Sequence, residues 1–141
     1  MIRWAEPADL ASVEALVRGA GLPLDGLSDH FGHFFVFDDG GTILGTAGLE
    51  MHGAYALLRS LVVANAARGR GLGALLTARA LGEATARGIR AVYLLTTTAE
   101  TFFPRFGFQR IARDDVPPAL RASRELQGAC PASAVVMERR S

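Results

Sequence analysis

A mixed α/β fold, with strands on either side of a strand–helix–strand core, is what this sequence predicts. Three observations carry that reading. The chain has 141 residues, 50% of them hydrophobic and 21% charged. That suits one folded domain, residues 1–141, burying ~68–70% of its unfolded surface without a disulfide or metal staple. The first half reads as an amphipathic helix followed by an antiparallel meander. The second half alternates apolar strand segments with helical ones, and no internal repeat, low-complexity tract or linker divides it.

Each element has its own signal. Ile2 to Trp4 are strand-like, and Glu6-Pro7 resembles a helix start because proline suits the first turn. Leu10, Val13, Leu16, Val17 and Ala20 recur at helical spacing, with a stop at Gly21. Leu22 to Gly32 contains Gly, Pro and Asp and suits either a short helix or a loop. His33 to Asp38 is a strand, Asp39-Gly40-Gly41 a hairpin turn, and Thr42 to Glu50 a second strand. His52-Gly53 turns into a third strand, Tyr55 to Val63. A helix from Gly71 to Arg87 has Leu72, Leu75, Leu76 and Ala80 on one face and Gly88 as its C-terminal stop. Ile89 to Thr96, apolar almost throughout, is a buried strand. Thr98 suits the N-cap of a helix from Ala99 to Phe106, and Phe108 to Arg113 is a strand. Asp115 suits the N-cap of a helix running through Pro117 to Gln127, and Ser133 to Arg139 closes the sheet.

Composition narrows the function classes. Cys130 is the only cysteine, so no intrachain disulfide forms, which fits a reducing, cytoplasmic setting. A formal net charge of +1 argues against a nucleic-acid binder held by phosphates. No apolar run approaches the ~18–20 residues of a membrane span, and the first residues do not read as a signal peptide. All 15 basic residues are arginine. The plain reading is genomic base composition, and the consequences hold whether or not that is the cause. No lysine is present to form a Schiff base, and any anion held by a cation must meet a guanidinium. His30 and His33 stand apart from other ligand types, so no metal site is expected. Phe31, Phe34, Phe35 and Phe37 belong mostly to the core, and Cys130, which precedes a proline, reads as structural.

The stretch that carries chemistry joins the third strand to the long helix: Leu61-Val62-Val63-Ala64-Asn65-Ala66-Ala67-Arg68-Gly69-Arg70-Gly71-Leu72-Gly73. Glycines at alternate positions open a helix directly after a strand. They permit positive φ and close approach of a ligand to the backbone. The unpaired amides and dipole of a helix N-terminus favour an anion, and Arg68 and Arg70 add positive charge. This is a cradle suited to a pyrophosphate. A Walker loop needs a lysine, the Rossmann spacing G-x-G-x-x-G is not met, and a β-meander rather than a βαβ unit precedes the motif.

Arg68-Gly69-Arg70-Gly71-Leu72-Gly73 resembles the acyl-CoA signature Q/R-x-x-G-x-G/A of the GCN5-related N-acetyltransferases, the GNAT superfamily. The resemblance covers essentially the whole chain, including Arg59-Ser60-Leu61-Val62-Val63 before the motif and Phe106-Gly107-Phe108 after the later helix. It implies the GNAT fold, a mostly antiparallel sheet of about six to seven strands flanked by helices, with a splayed-strand cleft. It implies acetyl-CoA as cosubstrate and no metal. The backbone around Leu61, Val62 and Val63 is then expected to bind the pantetheine arm, and the amides from Arg68 to Gly73 the pyrophosphate. The helix after the diverging strand is expected to pack near the CoA sulfur. Two departures stand out. Thr96 occupies a place where many members have asparagine, and Phe103 a place where many have a proton-donating tyrosine. Phenylalanine donates no proton, so the thiolate must be protonated otherwise or leave unprotonated.

The implied reaction is direct attack of an amine on the acetyl thioester, with a backbone N–H near Val63 as oxyanion donor. Candidates for the base are Glu50, His52 and Tyr55 at the turn between the second and third meander strands. Glu50 ranks first because a carboxylate relays through one water, although a solvated strand-end charge accounts for it equally well. His52 reads alternatively as an exposed turn residue. In a regular strand Arg59 shares a face with Tyr55, Leu57, Leu61 and Val63. It is either ion-paired to an acid of the chain or a clamp for a substrate carboxylate. The clamp favours an amino acid as acceptor. Leu57-Leu58-Arg59-Ser60-Leu61 is similar to N-acetylglutamate-synthase-type domains. Leu94-Leu95-Thr96-Thr97-Thr98 with Phe102-Phe103 and Cys130-Pro131-Ala132-Ser133-Ala134 is similar to transferases of arsenic-resistance loci. Small glutamate-like amines, some carrying phosphorus or arsenic, are the implied partners; homodimers are common in the family, but the sequence does not set the oligomeric state. Protein or peptide N-acetylation, and a non-catalytic acyl-CoA sensor, are the competing functions.

Overall fold

Seven strands hydrogen-bond into one sheet in a computed structural model that describes residues 1–141. They are β1 (Ile2–Trp4), β2 (Phe34–Asp39), β3 (Thr42–His52), β4 (Tyr55–Val63), β5 (Ala91–Thr96), β6 (Gln109–Ile111) and β7 (Val135–Arg140), in the spatial order β1-β2-β3-β4-β5-β7-β6. Only β4 and β5 run parallel; the other pairs are antiparallel. The parallel pair needs a crossover, which α2 (Leu72–Ala86) supplies, whereas the meander needs only tight turns. α1 (Leu10–Gly19) lies on the other face.

The period-2 alternation of β2 shows how the two faces are filled. Phe34 and Val36 pack with Val13 and Val17 of α1, while Phe35 packs with Leu76 and Ala80 of α2. Phe31, Phe34 and Phe35 are buried and Phe37 is half-buried. A third cluster, Leu57, Tyr93, Leu120 and Val136, extends the α1 face under the C-terminal segment. The long helix begins and ends at its expected glycines, Gly71 (φ 73°) and Gly88 (φ 72°). Leu75, expected on its buried face, is 52% exposed, because the stripe that meets β3 and β4 runs through Leu72, Leu76 and Ala80.

β4 is not regular. Gly48 pairs with Arg59 but Thr46 pairs with Val62, so Ser60 and Leu61 together oppose Ala47 in a β-bulge. Ser60 adopts φ 57°, the only residue other than glycine with positive φ. The bulge reverses the alternation. Leu57 faces the α1 side, but Leu61 and Val63, beyond the bulge, pack against the α2-side cluster. The expectation that Arg59 shares a face with Leu61 and Val63 is therefore corrected: it shares one with Tyr55 and Leu57 only. Opposite the bulge, a Cβ on Gly48 would stand 2.2 Å from the Phe34 ring. Gly48→Ala is expected to destabilise the fold by about 1–3 kcal/mol through overpacking, measured by urea denaturation.

Two expected helices are absent. Ala99–Phe106 forms only a single 3-10 turn, Phe103–Phe106, and Thr96 rather than Thr98 caps the preceding bend, its Oγ1 accepting from the Ala99 N–H at 2.9 Å. Pro104 has no N–H for a helical ladder. The segment expected as a helix from Asp115 to Gln127 is broken into short turns, Arg113–Asp115, Pro118–Ala122 and Glu125–Ala129. Pro117-Pro118 and the extended Ser123 (φ −68°, ψ 132°) interrupt it.

Candidate active site

The cleft forms where the parallel pair comes apart. β4 and β5 are in register only from Tyr55–Ala91 to Leu57–Tyr93. Beyond that point the β5-facing edge of β4, Leu58 to Val63, has no strand partner. The gap is a cleft of about 370 Å³ lined by both strand ends, the Ala20–Pro23 loop, Phe103 and the C-terminal segment. Twelve of its 22 lining residues are hydrophobic, while Arg59, Arg68, Glu125 and Cys130 bring polar chemistry.

At one end of the cleft is the glycine loop. Gly69 (φ 85°) and Gly71 (φ 73°) both need the left-handed region. The first hydrogen bond of α2 runs from the Leu75 N–H to the Gly71 carbonyl at 3.1 Å. The amides of Gly69 to Ala74 consequently meet no backbone acceptor and form a free donor set at a positive dipole end. A Cβ on Gly73 would contact Phe102 at 3.8 Å and Val63 at 3.9 Å, so the loop packs directly against β4. Arg68 and Arg70 are exposed beside it.

A buried polar cluster occupies the other end. Arg59, with its side chain fully buried, reaches Glu50 Oε2 (2.7 Å), the carbonyls of Asp25 (2.7 Å) and Pro23 (3.0 Å), and Ser60 Oγ (3.0 Å). Its Nε also lies 3.4 Å from Glu125 Oε2. Glu50 is fully buried, and its Oε1 bonds His52 Nε2 at 2.8 Å with His30 Nε2 at 3.7 Å. Burial alone would raise the Glu50 pKa, but the hydrogen bonds from His52 and Arg59 outweigh it and hold the carboxyl below its usual range. Glu125 goes the other way. Burial, more than Arg59 can offset, lifts it to about 7. Burial and the neighbouring Glu125 push the Cys130 thiol up to about 12, so it stays protonated.

The structure brings together some of the residues singled out in the sequence and separates others. Arg59, Leu61, Val62, Val63, Arg68 and Phe103 line the cleft. Gly69, Arg70 and Gly71 follow Arg68 in the loop, and Leu72 and Gly73 open α2; none of these five lines the cleft itself. Phe103 is buried edge-on to Phe102 with ring centroids 5.1 Å apart. Glu50 and His52 sit behind Arg59 and do not line the cleft. Tyr55 is at the far end of β4, edge-on to Tyr93 at 6.1 Å. Sequence reading missed Glu125 and Cys130 as cleft residues, and the grouping of His30 with Glu50 and His52, whose donor atoms lie within 4.8 Å of one another. Both oxygens of that carboxylate are already engaged, by Arg59 and His52. No local spacing links residue 125 to residue 59; only the return of the chain over β4 does. No helix is long and apolar enough to cross a membrane.

Comparison with known proteins agrees with this geometry. An uncharacterized N-acetyltransferase of Chlorobaculum tepidum is 28% identical over 124 residues, covering 82% of this chain and 79% of that protein. The N-acetylglutamate synthase of Neisseria gonorrhoeae, solved with coenzyme A and N-acetyl-glutamate, is 26% identical with a TM-score of 0.84. It matches 99% of this chain, which spans only 34% of the synthase. A Mycobacterium tuberculosis protein solved with CoA shares the fold at a TM-score of 0.83 and 20% identity, over 100% of this chain and 99% of that one. Residues 30–110 match the acetyltransferase (GNAT) domain model, so the chain, with its splayed β4 and β5 and its glycine cradle, belongs to the GNAT acetyltransferase family.

Proposed function

We propose that this chain, as a single acetyltransferase domain, moves the acetyl group of acetyl-CoA to the amine of a small carboxylate-bearing molecule, an amino acid or glutamate-like analogue. The observation that carries the reading is the cleft itself, with free amides at one end and a buried arginine–carboxylate cluster at the other. The amides from Gly69 to Gly73, with Arg68 and Arg70, hold the pyrophosphate. The unpaired edge of β4 from Leu61 to Val63 holds the pantetheine arm, and Phe103 packs against the thioester end.

The Arg59 side chain itself is fully buried and paired with Glu50 at 2.7 Å, so the ion pair, rather than the carboxylate clamp, is the reading this geometry supports for it. Glu50, with His52 behind it, positions Arg59. Tyr55 stands too far along β4 to touch the thioester and supports Tyr93 instead. A carboxylate-bearing acceptor is further supported by the N-acetylglutamate synthase, which was solved with N-acetyl-glutamate. Amino acids carrying phosphorus or arsenic belong in the same test, on the sequence resemblance noted above. A cytoplasmic setting suits acetyl-CoA use, and a homodimer is carried over from the family.

The experiment is a thiol-release panel with acetyl-CoA and amino acids, glutamate analogues, polyamines, arylamines and peptides. Acetyl-CoA at 100 times its Kd is expected to stabilise the protein by about 2.7 kcal/mol in a melting experiment. Turnover with a carboxylate-bearing amine is expected to exceed that with the corresponding decarboxylated amine. Equal turnover of the two, or turnover confined to peptides, overturns the acceptor assignment.

A further inference from the structure

The C-terminal segment places an acid in the cleft that nothing in the cradle or in the Arg59–Glu50 pair requires. Glu125 is 4% exposed, lines the cleft, and comes from the turn Glu125–Ala129 that closes over β4. Its backbone is held by the Ser123 hydroxyl, which accepts from the Glu125 N–H at 3.2 Å. Its Oε2 meets Arg59 only at 3.4 Å, whereas Glu50 takes that guanidinium at 2.7 Å. Glu50 is therefore the closer structural partner of Arg59, and Glu125, which also takes a hydrogen bond from Cys130, is the acid that lines the cleft.

We propose that Glu125 is the general base of the transfer, taking the proton of the acceptor ammonium inside the cleft; the assignment rests on the acetyltransferase reading above. The ammonium R–NH3+ gives one proton to the Glu125 carboxylate and becomes R–NH2. The nitrogen lone pair forms a bond to the thioester carbonyl carbon. The tetrahedral intermediate collapses as the C–S bond breaks, with its electron pair going to sulfur. The second amine proton passes to that sulfur, giving the amide and CoA–SH, and Glu125 returns its proton to water. No tyrosine is needed in this scheme, in keeping with Phe103. Cys130, held protonated, does not compete as an acetyl acceptor.

The surroundings suit a base. Burial is the main cause that lifts the Glu125 pKa to about 7, near where a base works best. Arg59 from β4 opposes the rise, while Glu50 from β3 and Asp25 from the loop after α1 add to it; Cys130, on its own segment, hydrogen-bonds the carboxylate. A carboxyl whose pKa is higher folded than unfolded stabilises the fold when protonated. That contribution is lost as pH rises through about 7.

The test compares Glu125→Gln and Glu125→Asp with the wild type, using acetyl-CoA and an amine accepted by the wild type. Glu125→Gln is expected to lower kcat about 100-fold, to leave the acetyl-CoA-induced rise in Tm intact, and to lose the activity limb centred near pH 7. It is also expected to melt above the wild type at pH 8, the difference narrowing below pH ~5. Glu125→Asp is expected to recover part of the activity. Wild-type turnover and pH profile in Glu125→Gln overturn the proposal while leaving the acetyltransferase reading standing. If Glu125→Gln fails to bind acetyl-CoA, Glu125→Asp decides: unchanged kcat overturns the proposal, and a fall with intact binding supports it. A wild type that acetylates no amine in the panel overturns both.

Discussion

Glu50→Ala is expected to destabilise the protein by about 3–5 kcal/mol, because it leaves the Arg59 guanidinium buried without its closest counter-charge. The carbonyls of Asp25 and Pro23 remain as acceptors, but they carry no charge. Glu125 is the only other acid within 4 Å of Arg59, and at 3.4 Å it is the weaker partner. Removing Glu50 also removes a like charge that helps to raise Glu125, so Glu125 is expected to ionise more readily in the variant. This compensation is partial, since Glu125 approaches only the Nε side. Chemical denaturation of the single and double variants measures it. Glu50→Gln combined with Arg59→Met, which takes away both charges, is expected to be less destabilising than Glu50→Ala alone. A double variant worse than the single one would show that Arg59 holds the fold through Asp25 and Pro23 instead. The pH dependence has a defined sign. The Glu50 carboxyl is depressed in the folded state, so its contribution is present above the unfolded value of about 4.3 and lost as pH falls through the folded value. The Glu50→Gln variant lacks this acid loss.

What was legible in the sequence was what local chemistry determines. α2 was bounded by Gly71 and Gly88 because a helix stop or start in the left-handed region selects glycine. The meander followed from alternation and turns, and the cradle from glycines placed at a helix start. Ser60 was not legible: a serine in the left-handed region carries no signal, yet the bulge it makes reverses the faces of Leu61 and Val63. The C-terminal helix was overread because Asp115 is a good cap, while Pro117-Pro118 prevents the propagation a helix needs. The partners of Arg59 could be anticipated as acids but not identified. Glu50 is 9 residues away across a hairpin, and Glu125 arrives from 66 positions later in the chain. The most consequential residue of the cleft was therefore among the least visible.

Gly69→Val with Gly71→Val is expected to weaken acetyl-CoA binding by at least about 100-fold while leaving a folded protein. The argument separates backbone strain from side-chain contact. Both residues sit at positive φ, and a Cβ on either would meet nothing within 4 Å. No core contact is lost, and the fold bears only the conformational penalty, on the order of 1–3 kcal/mol for each branched residue in the left-handed region. The loop escapes part of that penalty by leaving the conformation, since its amides make no internal hydrogen bonds that would hold it. That escape turns the donors away from the position a pyrophosphate would take. Calorimetric titration with acetyl-CoA, beside a melting curve of the unliganded variant, reads the two effects apart. Replacing Arg68 and Arg70 by glutamate probes charge without touching φ, and the salt dependence of binding is expected to flatten in that variant alone. Unchanged affinity in the double valine variant, with a normal melting curve, would remove the loop from the cofactor site and leave the cleft between β4 and β5 to hold acetyl-CoA by its pantetheine arm.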